Sequence, residues 1–237
     1  MTIQGSKNKY SKYIVPILQK CINENNIKVF VDCCVGGSNI IKNITALTRI
    51  GIDKNSNLIA LYHAMQKPDF TFPPFPSKED WDKCKNGEID GWYAGLVEFF
   101  TSYLARGFDG GYNKQEQQYW GRVHTMQKEL QLIKDIVYIE DDFNHILSLN
   151  NCVIYSDPPY INTKKYSADK NFDYNRFWNT IREASVNNYV FVSEQVAPED
   201  FISIWSMDTE RQLQGNKTKC VENLFIFKDG LSAKFML

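Results

Sequence analysis

Short strand-like runs alternate along this chain with segments of helical periodicity, and this alternation constrains the fold more than any other feature. The strand candidates are 28–31, 49–52, 136–139, 151–155 and 189–193, with a final pair near 211–213 and 222–227. Helical spacing of apolar residues is clearest at Tyr13, Ile14, Ile17 and Leu18, at Leu58, Ile59 and Tyr62, and at Phe177, Ile181 and Ala184. Because strands that alternate with helices usually pair in parallel, the sequence predicts an α/β fold. We expect a mainly parallel sheet with helices on both faces.

Composition excludes several classes of protein. With 43% hydrophobic residues in 237, the chain can bury a sizeable core and is not disordered. No apolar run reaches the roughly 18 residues of a membrane span, and the first residues lack the apolar stretch of a secretory signal, so we expect a soluble, cytoplasmic protein. The net charge of −1 means that a nucleic-acid partner would need a local basic face. The six cysteines form no CxxC pair, which favours free thiols over zinc and predicts no metal site.

One long segment interrupts the alternation. Between Gln66 and Arg122 lie four of the eight prolines, a helix-like run from Gly91 to Arg106, and a glycine-rich stretch at 107–112. A connection between a strand and a helix is normally short, so this length predicts an inserted subdomain. An aromatic stripe at helical spacing is interpreted as packing of the insert onto the main domain rather than as a base-stacking surface; it comprises Trp92, Leu96, Phe99, Phe100 and Tyr103.

The tetrapeptide Asp157-Pro158-Pro159-Tyr160 directly follows an apolar strand candidate. In open α/β sheets, ligands bind beyond the carboxyl ends of the strands, which is where this turn would lie. Two successive prolines fix φ and remove two N–H donors, so the turn presents a carboxylate, free carbonyl groups and an aromatic ring together. This set suits a planar amine, whose hydrogens the acceptors would bind. An ordinary strand-ending turn is the alternative.

A glycine turn follows the first strand candidate. The segment 30–40 is predicted to end a strand, turn at Gly36 and Gly37, and then begin a helix that Ser38 or Asn39 caps. The next strand candidate ends near Asp53, a position from which an acid can bind ribose hydroxyls. The alternative for Asp53 is a helix N-cap for the residues 54–65.

Taken in their order along the chain, these motifs resemble those of S-adenosylmethionine-dependent DNA adenine-N6 methyltransferases of the Dam type (D12 class). The matching segments are Gly5-Ser6-Lys7, Asp32 to Asn39, Asp53-Lys54-Asn55 with Leu58-Ile59, Asp142-Phe143, Asp157 to Tyr160 with Thr163 to Tyr166, Ser193-Glu194, and Glu222 to Phe225. The resemblance covers the chain except the middle of the insert, where no recognition residue is carried over. Cys33 and Cys34 stand where the family has Pro-Phe, and Ile3 and Gln4 where it often has an aromatic residue.

This resemblance implies a Rossmann-like methyltransferase domain at 1–65 and 123–237, with a mostly helical target-recognition subdomain inserted at 66–122. It implies that S-adenosylmethionine is the cofactor, bound by Lys7, Asp32, Gly36, Asp53, Asp142 and Asp157. It implies catalysis by Asp157, Pro158 and Tyr160, and contacts to double-stranded DNA by Lys164, Lys165 and Tyr166. A cognate restriction enzyme is left open as a further partner.

The implied reaction fits the residue types. Hydrogen bonds from the adenine amine to the Asp157 carboxylate and the Pro158 carbonyl would leave the nitrogen lone pair aimed at the sulfonium methyl group, with no metal and no covalent enzyme intermediate. The base must leave the duplex, and we expect it to stack on the face of Tyr160, whose hydroxyl is not needed for this. The alternatives are a methyltransferase for cytosine N4, an RNA adenine or a glutamine side chain, and a non-catalytic DNA-binding protein on a degenerate scaffold.

Overall fold

The computed structural model describes residues 1, 6–160, 172–213 and 216–236. The helices are α1 (Asn8–Glu24), α2 (Ser56–Met65), α3 (Lys78–Lys85), α4 (Gly91–Phe100), α5 (Glu116–Ile133), α6 (Tyr174–Ala184) and α7 (Leu231–Met236). The strands are β1 (Val29–Cys33), β2 (Thr48–Asp53), β3 (Ile136–Glu140), β4 (Cys152–Ser156), β5 (Tyr189–Glu194), β6 (Phe201–Leu213) and β7 (Asn216–Phe227). Short 3₁₀ helices lie at Ile41–Asn43, Tyr103–Ala105, Gly107–Gly110 and Phe143–Ser148.

The strands form one sheet in the order β3-β2-β1-β4-β5-β7-β6. The first five pair in parallel, and β7 runs antiparallel to both β5 and β6. The α/β prediction is therefore confirmed, and the arrangement is compatible with a Rossmann-like fold. Strand order reverses between β1 and β4, and at such a switch point the carboxyl ends of neighbouring strands open a crevice for a ligand.

Two apolar layers cover the two faces of the sheet, as the alternation of side chains in β4 shows. Val153 and Tyr155 pack into one layer together with α1 and α2, whereas Cys152 and Ile154 pack into the other together with α6. Successive side chains of a strand point to opposite faces, so one short strand contributes to both layers. Helices thus lie on both faces, as expected. Among the described residues, no helix is long and apolar enough to cross a membrane.

The segment after β1 differs from its prediction. No α-helix begins there; instead Cys34, Gly36 and Ser38 all have positive φ (75°, 43° and 56°) and lead into a 3₁₀ helix of three residues. Positive φ is costly for residues with a side chain and interrupts helical geometry. The Ser38 hydroxyl does not cap a helix but shares a 2.9 Å hydrogen bond with the Tyr138 hydroxyl. The turn is therefore a tight, irregular loop at the carboxyl end of β1.

Two further element boundaries differ from those predicted from the sequence. Strand β6 begins at Phe201, ten residues before the predicted 211, and it pairs with β7 along this whole length at the edge of the sheet. The helix-like run from Gly91 ends at Phe100 rather than at Arg106. The chain turns there, and Leu104 adopts a φ of 55°, which a continuing helix does not allow.

The segment 66–122 packs against the main sheet domain through α4. The middle of its apolar stripe, Leu96, Phe99 and Phe100, is buried in the layer that contains α1 and α2, as the packing interpretation expects. The two ends of the stripe differ, since Trp92 is 40% exposed and Tyr103 is 54% exposed. A small separate cluster lies within the segment and comprises Trp81, Cys84, Ala94 and Val97.

Candidate active site

The catalytic turn predicted from the sequence begins at the switch point of the sheet. Asp157 is the first residue after β4, and its backbone N–H lies 3.4 Å from the carbonyl oxygen of Cys33, the last residue of β1. The next two residues are prolines, which have no N–H to donate. The two strands that flank the switch point therefore position Asp157 at the edge where ligands of such sheets bind.

Lys7 neutralises the Asp157 carboxylate. The Lys7 Nζ atom lies 2.6 Å from Asp157 Oδ1, and Lys7 is only 5% exposed although it is a lysine. The same ammonium group lies 4.5 Å from the centre of the Tyr160 ring, within the range of a cation–π contact. The side chain at the start of α1 thus reaches both ends of the Asp157–Tyr160 turn. The structure brings together Lys7, Asp157 and Tyr160.

Tyr160 is held by its hydroxyl as well as its ring. The residue is 7% exposed, and its hydroxyl donates a hydrogen bond to Glu222 Oε1. Burial, reinforced by the charges of Asp157 and Glu222, raises the pKa of the Tyr160 hydroxyl well above its usual value, so the group remains a donor. The expectation that only the face of the ring matters is therefore incomplete, because the hydroxyl has a buried partner that the sequence did not identify.

Asp53 ends β2 and binds the neighbouring loops. Its Oδ2 accepts a 3.0 Å hydrogen bond from the Gly36 N–H, and its Oδ1 accepts a 3.0 Å bond from the Asn55 N–H. The N-cap of α2 is Asn55, whose side chain accepts from the Leu58 N–H, so the helix-cap alternative for Asp53 is wrong. Burial raises the pKa of the Asp53 carboxyl. Asp53 therefore fixes the glycine turn from the end of β2.

Asp32 lies deeper, on β1, and adds a third carboxyl to the strand ends. It is 3% exposed, and its Oδ2 accepts a 3.3 Å hydrogen bond from the Ile41 N–H. Burial and then the charge of Asp157 raise its pKa well above the usual value, while Lys7 acts in the opposite direction. The carboxyl groups of Asp32, Asp53 and Asp157 thus influence one another in a region where Lys7 supplies the positive charge. Such a region favours a cationic ligand.

Other candidate residues lie apart from this cluster or outside the described ranges. Asp142 caps the 3₁₀ helix after β3 by accepting from the Asn144 N–H at 3.1 Å, and it pairs with Arg176 at 3.0 Å. These contacts use the Asp142 carboxylate in local structure at the neighbouring strand end. The predicted DNA-binding residues Lys164, Lys165 and Tyr166 fall in 161–171, which is outside the described residues.

Two buried glutamates complete the site, and no role had been predicted for either. Glu194 ends β5 and Glu222 lies on β7, and each is 2% exposed. Glu194 Oε1 accepts a 3.0 Å bond from the Gln195 N–H, whereas its Oε2 has no hydrogen-bond partner among the described residues. Burial, with the nearby charge of Asp157, raises the pKa of Glu194 to about 8. Glu194 closely follows the apolar residues Val190 to Val192, and the motifs that resemble the Dam-type family include both glutamates without giving either a role.

Comparison with known proteins adds no identification, because no protein-family model and no curated protein matches this chain. Within the described ranges, no group of three His, Cys, Asp or Glu residues is arranged to hold a metal ion. The functional conclusion therefore depends on the geometry of the strand ends.

Proposed function

We propose that this protein is a DNA methyltransferase that transfers a methyl group from S-adenosylmethionine to the N6 amine of adenine in double-stranded DNA. The observation that carries the proposal is the Lys7–Asp157 pair, 2.6 Å apart, at the first residue after β4 and beside the switch point. A carboxylate held there next to proline carbonyls can accept hydrogen bonds from an exocyclic amine. The motifs that resemble the Dam-type family support the same assignment.

The strand ends fit the proposed cofactor. Asp53 stands at the end of β2 where an acid can accept hydrogen bonds from ribose hydroxyls, and the backbone of Gly36 lies against it at 3.0 Å. Burial favours the neutral forms of the Asp32 and Asp53 carboxyls, and a bound cation would favour their ionised forms, which suits the sulfonium and the ammonium of S-adenosylmethionine. The cofactor supplies an electrophilic methyl group when it is bound. Asp142, two residues after the end of β3, stays a proposed contact to its adenine ring.

The residues of the turn act on the amine. Asp157 and the Pro158 carbonyl accept its two hydrogens, which directs the nitrogen lone pair away from the ring and toward the methyl carbon. Transfer forms the nitrogen–carbon bond as the carbon–sulfur bond breaks, and the Asp157 carboxylate can receive the proton that the amine then loses. Lys7 pairs with the Asp157 carboxylate and holds it in place, so positioning supplies much of the rate.

The remaining parts of the chain would handle the DNA. The segment 66–122 is proposed as the target-recognition subdomain, because it is too long for a connection and carries exposed aromatic residues such as Trp92 and Tyr103. Lys164, Lys165 and Tyr166 follow the turn in sequence and are proposed to contact DNA. The adenine would be flipped out of the duplex to reach Asp157.

Transfer of a labelled methyl group tests the proposal directly. The protein is incubated with labelled S-adenosylmethionine and unmethylated duplex DNA, the same duplex premethylated at adenine, or RNA, and the modified nucleoside is identified by mass spectrometry. We expect N6-methyladenine from the unmethylated duplex alone. Asp157→Asn should abolish transfer, while Asp208→Asn, an exposed acid on β6, should not change it.

The other outcomes identify the alternatives. N4-methylcytosine or methylated RNA would retain the methyltransferase chemistry and change the substrate, and a protein substrate added to the same assay would test the glutamine alternative. DNA binding without transfer to any substrate would instead support the non-catalytic DNA-binding protein and refute the proposed enzyme.

A further inference from the structure

Glu222 lies at the site because of the reversed strand β7. Glu194 of β5 pairs with Asn223 of β7, so Glu222 lies one residue from that pair, beside the carboxyl end of β5. Leu224 and Ile226 of the same strand pack into the layer that contains α1, and alternate residues of a strand share a face, so Glu222 faces the α1 side of the sheet. Lys7 approaches from that side. An antiparallel strand thus delivers a carboxylate to the edge where the parallel strands end.

The contacts of Glu222 join the two ends of the catalytic turn. Its Oε1 accepts the hydrogen bond from the Tyr160 hydroxyl and lies 3.7 Å from the Lys7 Nζ atom. That ammonium group in turn lies 2.6 Å from Asp157 Oδ1 and 4.5 Å from the centre of the Tyr160 ring. Asp157 is the first residue of the turn and Tyr160 the last. One glutamate therefore contacts both side chains that hold the turn.

The turn needs such anchors because its backbone has few donors. Pro158 and Pro159 have no N–H, and the Asp157 N–H makes a long contact of 3.4 Å with the Cys33 carbonyl. A turn with so few backbone donors depends more on its side chains for its position. Tyr160 and Lys7 are both more than nine-tenths buried, so their contacts with Glu222 are shielded from water and are stronger than surface contacts.

We propose that Glu222 is a positioning residue that orients the Asp157 carboxylate through Tyr160 and Lys7; the proposal rests on the methyltransferase function proposed above. Glu222 does not touch the amine in this arrangement. It holds the Tyr160 hydroxyl, which fixes the far end of the turn, and it shares the Lys7 ammonium with Asp157, which limits the positions that Asp157 can adopt. Its loss should therefore slow methyl transfer more than it weakens cofactor binding.

Variants of Tyr160 and Glu222, the two partners of the hydrogen bond, distinguish a positioning role of Glu222 from a role in stability alone. Tyr160→Phe is made in the wild-type and in the Glu222→Ala backgrounds, and single-turnover transfer, cofactor affinity and melting temperature are measured for each. We expect Tyr160→Phe to slow transfer about tenfold in the wild-type background, as loss of a hydrogen bond to a charged group predicts. In the Glu222→Ala background it should cost less than twofold, because the partner is already absent.

Glu222→Gln provides the conservative variant if Glu222→Ala does not fold. The glutamine carbonyl can still accept from Tyr160, so Tyr160→Phe should again slow transfer in that background, while Glu222→Gln alone should lower the rate less than Glu222→Ala does. Cofactor affinity should change less than threefold in each variant. Glu183→Gln, an exposed acid on α6, is the matched control and should leave every measurement unchanged.

Four results would overturn the inference. Equal effects of Tyr160→Phe in the wild-type and Glu222→Ala backgrounds would show that the contact does not position the turn. Loss of stability and cofactor affinity in step with the rate would assign Glu222 a structural role only. A wild-type protein that transfers no methyl group would refute the proposed function and this inference together, whereas an active wild type with unaffected variants would refute the inference alone.

Discussion

Replacing Glu194 by glutamine should make the protein more stable at neutral and alkaline pH. Glu194 is 2% exposed, and burial together with the charges of Asp157 and Glu222 raises its pKa from 4.5 to about 8. In the unfolded chain the same carboxyl ionises near 4.5. Between these two pH values the folded protein keeps a proton that the unfolded chain has released, so raising the pH favours unfolding.

The size of the effect follows from that interval. Each pH unit between the two pKa values corresponds to about 1.4 kcal/mol of unfolding free energy, which gives about 5 kcal/mol over the whole interval. Glutamine has nearly the same shape and no proton to lose, and its carbonyl can accept the hydrogen bond that the Gln195 N–H now donates to Glu194. Glu194→Gln should therefore match the wild type below pH 4.5 and exceed its stability by about 5 kcal/mol above pH 8.

Urea unfolding followed by circular dichroism at pH 5, 6.5, 8 and 9 measures this difference. The quantity of interest is the free energy of unfolding of Glu194→Gln minus that of the wild type, because other titrating groups cancel in it. Glu199→Gln is the matched control, since Glu199 is exposed and lies only five residues away. A difference that stays constant between pH 5 and pH 8 would show that Glu194 is already ionised in the folded protein, and the reasoning would be refuted.

Three further predictions test the cofactor site, the insert and the DNA contacts. Asp53→Ala should weaken S-adenosylmethionine binding by about 1.5–3 kcal/mol in a folded protein, measured by calorimetry; unchanged affinity would contradict the ribose assignment. Gly95→Ala should destabilise the fold by about 1–3 kcal/mol, because a methyl group at this position meets the α2 backbone. Gly121→Ala on α5 has open space around it and should stabilise the fold by up to about 1 kcal/mol. Equal melting temperatures of the two variants would contradict this packing. Removing Lys164 and Lys165 should reduce the log–log salt slope of DNA binding by about 0.9 per lost phosphate contact, and an unchanged slope would exclude them from the interface.

The parts of the fold that the sequence predicts well are those with local causes. Strands β1 to β5 follow from apolar runs bounded by turns, and the carboxyl groups at their ends follow from the position of Asp53 and Asp157 after those runs. The turn after β1 could not be predicted, because the positive φ of Cys34 and Ser38 depends on how the loop meets β2 and β3. The glycine pair followed by the capping residues Ser38 and Asn39 predicted a helix start there instead.

The glutamates of the site show a different limit. Glu194 and Glu222 are 28 residues apart, and nothing in their local sequence indicates that they meet. They come together because β7 enters the sheet in reverse between β5 and β6, in a register that pairs Glu194 with Asn223. A shift of that register by one residue would turn Glu222 to the opposite face of the sheet. The site therefore depends on long-range pairing that a single sequence does not reveal.

The electrostatic character of the site follows from the same topology. Parallel strands end at one edge, so Asp32, Asp53 and Asp157 reach that edge together, and β7 adds Glu222 from the opposite direction. Lys7 contacts two of these four acids. Burial of the remaining carboxyls raises the pKa values of Asp32 and Asp53, which favours their neutral forms and limits the repulsion that would otherwise destabilise the fold. A cationic ligand stabilises their ionised forms, so this arrangement of strand ends favours a ligand that carries positive charge.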